Sequence, residues 1–122
     1  MITIKFIPHK EQRYDTAGDY WMIKDNLQIR ISDMKDWRYS YLVLIHELVE
    51  IFLCRLAGVN YKDIDAFDLS YKGVDPGLSK GAPYHKQHMF AMVVERMMSK
   101  VMKVKWREYN KVLDNLKWRK DD

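Results

Sequence analysis

Cysteine is almost absent: Cys54 is the only one among 122 residues. A single thiol excludes an intrachain disulfide framework and leaves no CxxC pair for a metal knuckle or a dithiol redox site. Glycine and proline are scarce as well, at five and three, which excludes collagen-like and low-complexity chains. There is no run of about 18 apolar residues, so no stretch reads as a membrane span. The longest apolar region, 41–57, is interrupted by His46, Glu47, Glu50 and Arg55. The opening Met1-Ile2-Thr3-Ile4-Lys5-Phe6 lacks the apolar run and cleavage site of a secretory signal. The net charge of +4, without a clustered basic patch, does not predict nucleic-acid binding. Against these absences stand 48% hydrophobic and 13% aromatic residues, a composition that folds rather than one that stays disordered. The expectation is one domain over residues 1–122, large enough for its own core, cytoplasmic and outside the membrane.

Periodicity sets the elements. Ile2, Ile4 and Phe6 alternate up to Pro8 and predict a strand. Residues 19–23 and 27–31 predict two more, joined by a turn at Lys24-Asp25-Asn26. Leu27, Ile29 and Ile31 share one face of the last. Ser32, Asp33 and Asp36 are candidate caps for a helix from about 36 to 57, which Gly58 should end in a left-handed conformation. Apolar residues surround this helix on nearly all sides, so most of it should be buried. Four of the five glycines fall in residues 58–83, a loop-rich stretch interrupted by a short helix around 61–67. Pro83 suits the first position of a helix running to about 102. The cluster Met89, Met92, Met97, Met98 and Met102 on it reads as core filler. A last amphipathic helix over 106–118 presents Trp106, Tyr109, Leu113 and Leu116 on one face, with Lys111, Lys117 and Arg119 to solvent.

The chemistry concentrates at His46-Glu47-Leu48-Val49-Glu50. Buried charges are normally paired or bound to metal, and two carboxylates and an imidazole sit here where the pattern demands core. Positions 46 and 50 are one helical turn apart and point the same way, so His46 and Glu50 can reach one ion. Glu47 is rotated by roughly 100° and flanks that ion, where it can act as general base. This is the mechanical logic of an HExxH zinc helix with Glu50 in place of the second histidine. A catalytic zinc site needs a third protein ligand. His88 is the candidate, on the third helix in a stripe with Met92 and Glu95. Glu95 is placed to orient a ligand or act as a fourth, and His85 is a further possible ligand. Asp65 and Asp68 suit capping or solvation of the loop, although Asp68 could approach the same site. Cys54, one turn past Glu50, reads as a small core residue.

The strand-strand-helix order followed by a second ligand helix resembles the zincin metallopeptidases in reduced form. The stretch from His46 to Glu95 is more similar to a group of small, uncharacterised phage-type proteins. The shared features are His46-Glu47 with Glu50, Ala66-Phe67-Asp68, Ala82-Pro83-Tyr84, His88 and Glu95. Gln87 departs from that pattern, which carries a Glu beside the histidine. The resemblance implies a metal-dependent hydrolase and brings no substrate with it.

The combined expectation is an α+β domain with a small antiparallel sheet packed on a long ligand-bearing helix. A second helix supplies His88 to a divalent metal, zinc by ligand count. Glu47 serves as the catalytic base of a small peptidase, and the edge of residues 27–31 aligns an extended peptide by strand addition. Three other classes fit the residues: a domain in which metal only staples two helices, an iron or manganese oxidoreductase, and a basic phage-type accessory protein that binds nucleic acid or a protein partner. The usual Glu-x-x-His pairing of the carboxylate-bridged metal proteins is missing.

Overall fold

The computed structural model describes residues 1–72 and 75–118. Gly73 in the glycine-bearing stretch and Arg119 at the basic C-terminal end lie outside them. The fold is α+β. Strands β1 (Ile2–Ile7), β2 (Gly18–Ile23) and β3 (Asn26–Ser32) precede helices α1 (Trp37–Ala57), α2 (Tyr61–Ser70), α3 (His85–Val101) and α4 (Trp106–Asp114). Single 3-10 turns at His9–Glu11 and Pro76–Leu78 complete the order.

The sheet order is β1-β3-β2. β2 and β3 form the expected antiparallel hairpin, its turn set by Lys24 at φ 55°. β1, however, runs parallel to β3, pairing Ile4 with Ile29, so the sheet is mixed rather than antiparallel. The reason lies in the side chains. Leu27, Ile29 and Ile31 are the buried set, and the strand that carries them takes the centre, between two neighbours that are more exposed. The segment 8–17 therefore has to cross the end of β3 before β2 begins. With both of its edges paired, β3 cannot accept a peptide strand, which overturns the expected role of residues 27–31.

α1 starts and stops as its residues dictate. The Asp36 carboxylate accepts from the Arg38 N–H at 3.0 Å, and Gly58 closes the helix at φ 72°. α3 runs antiparallel to it: the Arg38 guanidinium donates to the Met102 carbonyl at 3.2 Å, whereas Glu50 meets His88 near the other end. α3 begins two residues after Pro83, with Tyr84 at its N-cap. α2 continues to Ser70 and α4 ends at Asp114, four residues short of the expected stop. Trp106, Leu113 and Leu116 pack on the core around buried Tyr109, and Cys54 lies in that core.

Two expectations about burial fail together. The outer face of α1 is open, with Trp37, Phe52 and Leu56 at 64%, 61% and 70% exposure. On α3, Met98 and Met102 pack on the core, but Met89 and Met97 are exposed. Among the described residues no helix is long and apolar enough to cross a membrane.

Candidate metal centre

Three side chains from two helices converge under the α1–α3 pair. His46 and Glu50 project from successive turns of α1, and His88 comes from the first turn of α3. His46 Nε2 lies 3.2 Å from Glu50 Oε2 and 3.1 Å from His88 Nδ1, and the last two atoms are 2.9 Å apart. A divalent ion bound here would be held by His46 Nε2, Glu50 Oε2 and His88 Nδ1, a set of two histidines and one carboxylate. All three residues are buried, and together they form a group able to hold a metal ion.

The surroundings fix each ligand. His46 Nδ1 lies 2.8 Å from Glu95 Oε1, and the Tyr109 hydroxyl donates to the other Glu95 oxygen at 2.5 Å. A carboxylate only accepts, so this contact puts the ring proton on Nδ1 and leaves the Nε2 lone pair facing the centre. Glu95 thus orients a ligand and is not one of the converging set. On Glu50, the Tyr20 hydroxyl donates to Oε1 at 2.7 Å, which turns Oε2 inward as a single ligand atom. Among the described residues His88 Nε2 is buried without a hydrogen bond, although Asp75 Oδ2 stands 3.4 Å away, within range for charge attraction. The backbone of Gly77 comes close to the same ring: a Cβ there would fall 2.3 Å from His88 Nδ1. His85 is not a ligand here. Its Nδ1 contacts the Gly77 carbonyl at 2.9 Å and so helps hold that backbone in place.

Three electron-pair donors this close repel unless a cation or protons lie among them. Without a cation, protons take that role. Burial lowers the His46 pKa, yet hydrogen bonds to Glu50 and Glu95 carry it well above the ordinary imidazole value. Burial likewise opposes protonation of His88, but Asp75 and Glu50 push it up to about 9. Burial would raise Glu50, and the two imidazoles outweigh it, bringing the carboxyl down to about 2. A set that attracts positive charge this strongly, with the lone pairs aimed inward, fits a divalent cation.

Glu47 occupies the flank predicted from its rotation. It is buried, and burial followed by the charge of Glu50 raises its pKa well above the carboxylate range. With Glu50 and His88 it borders a cavity of about 30 Å³, enough for a water molecule. Gly18 of β2 makes this approach possible, since a Cβ there would fall 2.7 Å from Glu47 Oε1. His46, Glu47 and His88 also line a groove of about 1080 Å³. One wall of that groove, on and after α4, is mainly apolar, with Trp106, Leu113, Leu116 and Trp118 beside Asn110 and Asp114.

Sequence reasoning brings His46, Glu50, His88, Glu47 and Glu95 to one place, as observed. It misses Tyr20, Tyr109, Asp75 and Gly77, which have no motif of their own. It does identify Asp68, which borders the small cavity and accepts hydrogen bonds from Tyr14 and Tyr84. Burial pushes Asp68 up to about 7 even though Tyr84 pulls the other way. Comparison with family models, with curated proteins and with solved structures gives no match.

Proposed function

We propose that this chain is a small metal-dependent hydrolase, a zinc peptidase of zincin-like design. In this reading His46, Glu50 and His88 hold the ion and Glu47 is the general base. The observation that carries it is the convergence of three ligand atoms at 2.9–3.2 Å, with Glu47 sharing a water-sized cavity with two of the ligands. Two histidines and one carboxylate form a known catalytic zinc set. When bound, the ion would supply Lewis acidity to a carbonyl and lower the pKa of a water.

The rest is done by the chain. Glu95 and Tyr109 hold the His46 ring in the tautomer that presents Nε2. Tyr20 keeps Glu50 to one ligand oxygen. Glu47 lines the cavity, has no side-chain hydrogen bond among the described residues, and takes the proton of an attacking water. Its raised pKa suits an acid that must later return that proton to a leaving amine. A peptide would lie in the large groove rather than add to β3, with apolar side chains against the α4 wall.

A structural staple between α1 and α3 is the second reading. Its support is the near-complete burial of the ligands, at 6%, 3% and 7% exposure for His46, Glu50 and His88. Glu47→Gln separates the two. It keeps shape but cannot accept a proton, so metal content and folding should persist while hydrolysis of a mixed peptide library, read by mass spectrometry, falls by roughly 10²–10⁴-fold. Equal cleavage by the variant rejects Glu47 as base. No cleavage by either protein leaves the staple. Metal loss in the variant makes Glu47 a ligand.

A further inference from the structure

The open faces of α1 and α3 belong to one surface. At 100° per residue, Ile45, Val49, Phe52 and Leu56 fall within about 60° of each other on α1. On α3, Phe90, Val93, Val94, Met97 and Val101 fall within about 100°. The contacts fix how the two stripes are turned. His46, Glu50, His88 and Glu95 meet between the helices on the side of the sheet and α4. Because α1 and α3 are antiparallel, the two apolar stripes then both point to the opposite side. The result is a two-helix face with no charged residue in either stripe over residues 45–56 of α1 and 90–101 of α3, while Arg38 and Lys86 lie in line with the stripes at the N-terminal ends of the two helices.

Its size is unusual for a chain of this length. Phe52 and Leu56 are 61% and 70% exposed, Phe90 and Val93 57% each, Met97 63% and Val101 74%. These fractions leave on the order of 800 Å² of apolar side chain in water, close to what each partner contributes to a standard stable interface. Isolated monomers rarely expose so much in one patch. α1 also carries apolar residues on nearly all sides, including the side turned away from the sheet, a pattern that belongs to helices with more of their surface covered.

We propose that two copies of this chain pair through the outer faces of α1 and α3. The geometry suits a second copy in particular. A two-fold axis lying in the plane of the shared face lays α1 and α3 of one copy against those of the other, forming a four-helix bundle with like surfaces self-complementary. The metal centres and grooves face away from the bundle on the outer sides, so pairing leaves them open. The proposal does not depend on the hydrolase reading.

The test is sedimentation velocity and light scattering on the full chain from low to high micromolar concentration. Wild type should be a dimer. Phe52→Glu and Phe90→Glu each place two carboxylates at the two-fold contact and should weaken pairing by at least roughly a hundredfold, since buried unpaired charge is so costly. Far-UV circular dichroism should remain unchanged, because both positions are exposed within one copy. Ile23→Glu, on an exposed residue at the tip of β2, should remain dimeric. A monomeric wild type overturns the proposal, as does a dimer indifferent to both substitutions or one that Ile23→Glu dissolves equally. A monomer that sediments with anionic phospholipid vesicles would replace the second copy with a membrane surface and overturn it too.

Discussion

At the scale of single residues, the centre competes for protons with whatever ion it holds. His88 titrates near 9 and must be neutral to act as a ligand. Apparent metal affinity should therefore rise by about tenfold per pH unit for each proton displaced, and the rise should continue toward pH 9. Competition with a chromophoric chelator at several pH values measures this, and a flat affinity between about pH 6 and 8 would remove His88 from the ligand set. The same groups set the stability of the chain without metal. His88 is raised from 6.5, so its contribution is fully present below pH 6.5 and is lost as pH climbs through about 9. Glu50 is lowered from 4.5, so its contribution is present above pH 4.5 and is lost as pH falls toward about 2. From these two groups, metal-free stability should peak between 4.5 and 6.5, which urea unfolding across pH can read.

At the scale of elements, the short turn at Pro76–Leu78 matters more than its length suggests. Its Gly77 is buried and in contact with His88, while Asp75 before it takes φ 51°, a left-handed value that non-glycine residues seldom adopt. Gly77→Ala would drive a methyl group into the imidazole, at 2.3 Å from Nδ1. Either the ring or the turn must shift, and metal affinity should fall by at least roughly tenfold with about 1–3 kcal/mol of stability, the range for overpacking a filled site. Gly81→Ala is the matched control, because its Cβ would come no closer than 3.6 Å to a neighbour. If both variants bind metal like wild type, the turn does not position His88. This element also marks the limit of reading the sequence. The caps of α1 are local chemistry: Gly58 is legible to the residue, and Asp36 is one of three nearby candidates with Ser32 and Asp33. The pairing of His46 with Glu50 was legible because helical periodicity alone aligns them. The contact of Gly77 with His88 joins a loop to a helix, and no local pattern encodes it.

At the scale of the whole molecule, topology explains the remaining differences. Parallel pairing of β1 with β3 depends on which strand takes the centre, a choice made by total burial rather than by any one strand's alternation. The open face of α1 was missed because an apolar circumference says that a helix is covered, not by which chain. His88, by contrast, was legible at a sequence separation of 42 because few residue types can complete a His-Glu set. That long-range convergence ties the metal to folding. α1 and α3 meet through groups that repel one another when unprotonated and uncompensated, so an ion bound only by the folded state should hold them together. At a free metal concentration of about 100 times the dissociation constant, the gain is about 2.7 kcal/mol. A domain of about this size should then melt several degrees lower after chelation. His46→Ala should lack the metal, and chelator should leave its melting temperature unmoved. Differential scanning calorimetry on protein of verified metal content reads both. Identical melting of loaded and chelated wild type would mean that α1 and α3 are held by packing alone, with the centre free to gain and lose its ion without cost to the fold.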